Sequence, residues 1–295
     1  MRILSVLFLP LIFINIAFAE DRLQFRQVFT EIPSTSILTL KRSFSKESLP
    51  YWGAIIGSTA LLYHYDEEIY ADLQKRGRNW RIGNDDNTKP LVTFNGQEII
   101  RLPSDTGSAL YFLGDGWLHV GIGGAFLGTG KFTDNTRAYN TGVMLWHGIL
   151  VSTIFNQTLK RSFGRESPEV STEKRGRWKP FPGFNEYNTK TASYDAMPSG
   201  HVMTATLTFT IISEQYPEYN HIVYPLAGVW VSALMFEMVN NGVHWASDYP
   251  LGIAMGYVVG KAATRMGKKE TDPQKPDTTW HLVPTFQGLL AYREF

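Results

Sequence analysis

The residues able to do chemistry in this chain fall into three short segments. Pro198-Ser199-Gly200-His201 reads as the opening of a helix. A helix start leaves backbone N–H groups without intrahelical partners at the positive end of the helix dipole, which makes it a binding site for phosphate and similar anions. Gly200 lets an anion approach the backbone closely, Ser199 adds a hydroxyl donor, and His201 in the first turn is placed to protonate a leaving oxygen. In His244-Trp245-Ala246-Ser247-Asp248 the histidine and the aspartate are spaced i, i+4. If these residues form a first helical turn, Asp248 shares a face with His244, fixes its tautomer and leaves the other ring nitrogen free to attack. Lys160 opens the remaining segment, Lys160-Arg161-Ser162-Phe163-Gly164-Arg165-Glu166-Ser167-Pro168. Taken singly, each feature has a plainer reading, an ordinary serine N-cap or a helix-start aspartate beside a surface histidine. His64, His119, His147, His221 and His281 lack comparable partners and read as structural or surface residues.

Together, in this order, the segments resemble the type 2 phosphatidic acid phosphatase family, which also contains vanadium haloperoxidases and bacterial acid phosphatases. The resemblance covers residues 160–248 and implies an all-α helical bundle. It implies a phosphatase acting on a phosphate monoester or diphosphate, of a lipid or a small molecule, with no metal or other cofactor. His244 takes the part of the nucleophile that carries a phosphohistidine, Asp248 orients it, and His201 is the general acid. Lys160, Ser199 and Gly200 would hold the phosphoryl oxygens. Two arginines of the family pattern are replaced: Ser167 and Met238 stand in their places. Arginine's rigid fork of donors suits the phosphoryl group, so a substitute is expected, with Arg165 preferred over Arg175, Arg177 and Lys179. Two rival readings are a degenerate member that binds a phosphorylated ligand without turnover, and a vanadate-dependent haloperoxidase. Intact His201, His244 and Asp248 argue against the first, and the missing positive charge argues against the second.

The elements that must position these residues are helical. Helices are expected over residues 52–70, 199–213, 222–238 and 245–265, and apolar residues recur at helical spacing over 143–159. Residues 107–128 are Gly-rich and apolar, the composition of closely packed helices. Residues 77–103 have the composition of a loop, and the irregular stretch 164–198 is long enough to cover a site. A charged linker, 267–279, leads to a tail, 280–295, in which Gln287-Gly288 suggests a short β-hairpin.

Residues 1–19 have a basic start, an apolar run and the small-residue pattern Ala17-Phe18-Ala19 of a cleaved signal peptide, leaving residues 20–266 as the helical domain. Without cysteine the chain can form neither a disulfide nor a thiolate metal site, which suits a periplasmic enzyme. Hydrophobic residues make up 43% of the chain. Yet the longest apolar runs after the signal region are broken, 222–239 by Pro225 and Glu237, and 143–159 by His147, Asn156 and Gln157. Both therefore read as buried helices of a soluble bundle, with membrane contact arising through a lipid substrate. With the signal removed the chain is essentially neutral, and nucleic acid is not an expected partner.

Overall fold

The computed structural model describes residues 21–84, 87–94, 97–267, 280–285 and 288–293. The segments read as signal peptide and most of the linker lie outside them. Among the described residues, ten helices define an all-α architecture: α1 Gln27–Thr30, α2 Ile32–Ser43, α3 Leu49–Asn79, α4 Thr106–Phe112, α5 Gly116–Phe132, α6 Thr136–Phe163, α7 Phe184–Thr189, α8 Gly200–Gln215, α9 Asn220–Asn240 and α10 Tyr249–Ala263.

Helix α6 packs against α5, α8 and α10. The Asn135 side chain caps its start by accepting from the Ala138 N–H at 3.0 Å. The helix ends at Gly164, whose φ of +57° is the left-handed cap that glycine adopts without penalty. A β-carbon there would meet the Lys179 carbonyl oxygen at 1.8 Å, so glycine also lets the following segment fold back. The expected burial of residues 143–159 holds for only part of its apolar positions: Val143, Met144, Leu145 and Val151 sit in a core shared with Leu207 and Ile211 of α8 and Val259 of α10, whereas Leu150 and Ile154 are exposed. The Gly-rich segment packs closely on α6 as expected, and a β-carbon on Gly142 would lie 2.6 Å from the Leu127 backbone nitrogen. Helices α8 and α10 are in similar contact, Gly256 lying against the Met203 carbonyl oxygen.

The structure departs from the sequence reading in three places. Residues 77–103 are not simply a loop: they hold an antiparallel hairpin, β1 Thr88–Phe94 with β2 Gln97–Pro103, registered from Thr88↔Pro103 to Phe94↔Gln97. β1 is exposed along nearly its whole length, so its residues are chosen for solvent and mimic a loop. The long stretch 164–198 contains α7 and short 3-10 turns. Helix α9 is not the buried helix expected. Ile222, Tyr224, Leu226 and Val229 are exposed, and residues 217–240 are long and apolar enough to cross a membrane, with mean hydropathy 1.7 and 28% buried. Its neighbour α3 does not meet that criterion but is likewise uncovered: residues 49–65 include no Asp, Glu, Lys or Arg, and none of them is buried. The expected C-terminal hairpin is present as β3 Trp280–Thr285 paired with β4 Gly288–Arg293, closing at Thr285↔Gly288.

Candidate active site

The second and third motifs meet across α8, α9 and α10. Ser199 is the N-cap of α8 and accepts from the Val202 N–H at 3.4 Å, which places Gly200 and His201 in the first turn. The Ser199 N–H donates to the Asp248 carbonyl oxygen at 3.2 Å, tying the two motifs by their backbones. Residues 244–248 do not form one helical turn. His244 precedes a 3-10 turn over Ala246–Asp248 that leads into α10. The two imidazoles nevertheless come together, with centroids 5.8 Å apart and planes at 69°. On its other side His201 touches the Tyr111 ring of α4 at 4.9 Å.

His244 is 1% exposed. Its Nδ1 lies 2.6 Å from the Ala196 carbonyl oxygen, whereas the nearest Asp248 oxygen is 3.6 Å away. A carbonyl only accepts, so Nδ1 carries the proton and Nε2 the lone pair. Nε2 is buried with no hydrogen-bond partner. The orientation expected from Asp248 is therefore supplied directly by Ala196, and Asp248 adds negative charge behind the ring.

Arg165 does not stand where the sequence reading put it. It is wholly buried, and Nη1 donates to Asp248 Oδ1 at 2.5 Å and to Ser247 Oγ at 2.7 Å. Nη2 donates to Asp66 Oδ2 at 2.7 Å and to the Arg175 carbonyl oxygen at 2.8 Å, the oxygen that Nε also reaches at 3.2 Å. All five guanidinium protons are thus committed within the protein, and none is left for a phosphoryl oxygen. The expectation that Arg165 replaces the missing clamp is corrected accordingly. The other candidates are engaged in part: Arg175 Nη2 donates to the His64 carbonyl oxygen, Arg177 Nη2 pairs with Glu166 and Lys179 with Glu186, whereas Nε of both arginines is buried with no partner among the described residues. Ser167 and Met238, at the two vacated positions, are buried, Met238 within the apolar core beside Val202 and Leu234.

Asp66, on α3, is a site-supporting residue that sequence reasoning missed. It accepts from the Ser247 N–H at 3.0 Å, the Ser247 hydroxyl at 2.6 Å and Arg165. The available signal was Asp66 itself, the residue that ends the charge-free run of α3. Loss of solvent opposes ionisation of Asp248, but Arg165, His244 and the Trp245 N–H together hold its carboxyl below the ordinary carboxylate value.

Lys160, near the end of α6, is buried at 6% exposure; its ammonium donates to the Asp195 carbonyl oxygen and lies 3.2 Å from Asp195 Oδ2. Its Cε is 3.8 Å from the point where a β-carbon on Gly200 would sit, so it flanks the start of α8. Loss of solvent above all, then His244, Lys160 and His119, hold the His201 imidazole well below its ordinary value. His119 and His147 are structural, as expected. His119 bonds the Leu113 carbonyl and Thr208, and His147 bonds the Val28 carbonyl and Thr35.

The site is thus two close imidazoles, one with an orphaned nitrogen, beside a helix N-terminus and one buried ammonium. Residues 142–272 match the sequence model of the PAP2 superfamily. The resemblance drawn from the three motifs therefore holds for the segment that carries them, and it supports a phosphatase-type hydrolase. The crystal structure of a transmembrane PAP2-type phosphatidylglycerolphosphate phosphatase from Bacillus subtilis is similar at 18% identity and a TM-score of 0.44, over 81% of this chain and 94% of that one. Comparison with curated proteins gives no match.

Proposed function

We propose that the chain is a phosphatase that transfers the phosphoryl group of a monoester or diphosphate to His244 and then to water, without a metal. The observation that carries this reading is the buried, unpartnered Nε2 of His244, with Nδ1 held protonated by Ala196. Nε2 attacks phosphorus, the ester P–O bond breaks, and His201 gives its proton to the leaving oxygen. Water then attacks phosphorus and passes a proton to His201 as the P–N bond breaks, releasing phosphate. The imidazolium character of phosphorylated His244 is offset by Asp248, which Arg165 keeps ionised. Phosphoryl transfer asks mainly for positioning and charge stabilisation. Lys160 and the N–H groups of Gly200 and His201 supply these, while the Ser199 hydroxyl, which already caps α8, can still donate. The test is a panel of lipid phosphates, diphosphates and small phosphate esters incubated with purified protein in excess chelator. Absence of phosphate release from every member would refute the reading, as would activity that vanishes with the chelator.

The low pKa of His201 sets a pH dependence. A general acid must be protonated, and kcat/KM reports the free enzyme. A depressed pKa means that His201 is neutral above about pH 6.5, the ordinary histidine value. Because His201 must carry a proton while Nε2 of His244 must not, we expect a bell-shaped kcat/KM profile that falls on its alkaline side, and His201→Ala to lose about 10²–10⁴-fold together with that alkaline fall. An alkaline limb unchanged in His201→Ala would rule out His201 as the acid.

The exposed apolar faces of α3 and α9 favour a lipid phosphate. Soluble monomers seldom expose contiguous apolar patches above a few hundred Å², and larger ones mark membrane or protein contacts. Residues 49–65 extend for about 25 Å at the helical rise, comparable to a bilayer's hydrocarbon thickness. We expect the protein to float with phosphatidylethanolamine–phosphatidylglycerol vesicles. Leu226→Glu with Val229→Lys should reduce that while leaving turnover of a water-soluble ester unchanged. Protein that stays with the aqueous fraction would remove the lipid preference.

A further inference from the structure

Resting on the phosphatase reading, we infer that Asn156 is a phosphoryl-oxygen ligand that supplies part of what the absent motif arginines would have given. Asn156 and Lys160 are spaced i, i+4 on α6, so their side chains lie on one face, and both are buried, at 5% and 6% exposure. That face meets the start of α8. A β-carbon on Gly200 would stand 2.7 Å from Asn156 Nδ2 and 3.8 Å from Lys160 Cε, so the amide rests over the backbone whose N–H groups begin the helix.

The amide is not used by the fold. Asn156 Oδ1 is buried without a hydrogen-bond partner. A buried amide left unsatisfied costs about 1–3 kcal/mol, so such groups are rare unless a ligand completes them. Two buried polar atoms, Asn156 Oδ1 and His244 Nε2, are thus orphaned on either side of the same helical turn. A phosphoryl group at that turn can engage both at once, with phosphorus facing Nε2, a P–OH donating to Asn156 Oδ1 and another oxygen accepting from the Asn156 N–H. The amide also offers what arginine lacks, an acceptor for a P–OH proton. It adds no charge, so the pocket relies on Lys160 and the helix N-terminus for its positive potential. Sequence reading treated Asn156 only as an interruption of an apolar run, because one amide at a core position has no spacing signature.

The experiment compares Asn156→Leu and Asn156→Asp with the unaltered full-length protein. Binding of inorganic phosphate is measured by calorimetry below each melting transition, together with Tm and kcat/KM. Leucine keeps the branched heavy-atom outline, though it is bulkier, and removes an unsatisfied polar group, so Tm should stay near that of the unaltered protein. Phosphate binding should weaken roughly tenfold, and kcat/KM should fall on the order of 10²-fold, the scale for one transition-state donor. Aspartate keeps the shape but sets a negative charge against the phosphate, and its phosphate affinity should fall at least as far. A phosphate affinity within about twofold of the unaltered protein in either variant would overturn the assignment, whatever Tm does. Calorimetry needs no turnover: a protein that binds phosphate through Asn156 but hydrolyses no ester would defeat the phosphatase reading and leave this one standing.

Discussion

His244→Ala loses turnover on the order of 10⁶-fold in kcat, the scale seen when a covalent nucleophile is removed, and no phosphohistidine accumulates. The expectation follows from one atom. Nε2 is buried, bears the lone pair because the Ala196 carbonyl holds the proton on Nδ1, and has no partner among the described residues. Rapid quenching with a labelled substrate should trap acid-labile, base-stable phosphate on His244. His201→Ala should still phosphorylate His244 when the leaving group is good, and should fail most with poor ones, because only a poor leaving group needs its proton. Turnover by His244→Ala at near the normal rate would end the covalent mechanism. Labelled phosphate found on Ser199 instead would end it equally.

Arg165→Ala is expected to be a folding defect, not a phosphate-binding one. The guanidinium lies between two buried carboxylates, 2.7 Å from Asp66 and 2.5 Å from Asp248, under the rings of Tyr63, Trp178 and Trp245. Removing it leaves two buried carboxylates without their cation, with only the Ser247 and Trp245 donors remaining, and breaking a buried pair in this way costs about 3–5 kcal/mol. That is a large share of the roughly 5–15 kcal/mol that holds a domain together. Equilibrium denaturation should show the loss, and Asp66→Asn combined with Arg165→Ala should recover part of it, because one orphaned charge is then gone. If Arg165 were instead a phosphate ligand, Arg165→Ala would melt like the parent and bind inorganic phosphate far more weakly.

The fate of Arg165 shows what sequence could and could not reveal. Local grammar carried far: the Ser199 cap, the apolar period of α6 and the close glycine contacts of α5 are set by neighbours in the chain, and each was legible. The pairing of His201 with His244 was legible through motif order. Arg165 misled because its nearness to Ser167 in sequence says nothing about direction. Gly164 turns the chain at that point, and the side chain goes to Asp66, far away in sequence, instead of toward the histidines. Asp66 and Asn156 escaped notice for the same reason, since each matters only through residues on other helices. The exposure of α9 was misread because an apolar helix has the same composition whether protein or lipid covers it.

The node formed by Asp66, Arg165 and Asp248 also bears on which piece of this protein could be carried elsewhere. The family match begins at residue 142. A fragment cut there would keep His201, His244 and all three motifs, and on paper would look complete. It would lack α3, so Arg165 and Ser247 would lose Asp66. It would lack α1 and α2, so His147 would lose Val28 and Thr35, and it would lack Tyr111 against His201. The smallest transplantable unit is therefore set by the partners of the buried polar groups, and it begins ahead of α1.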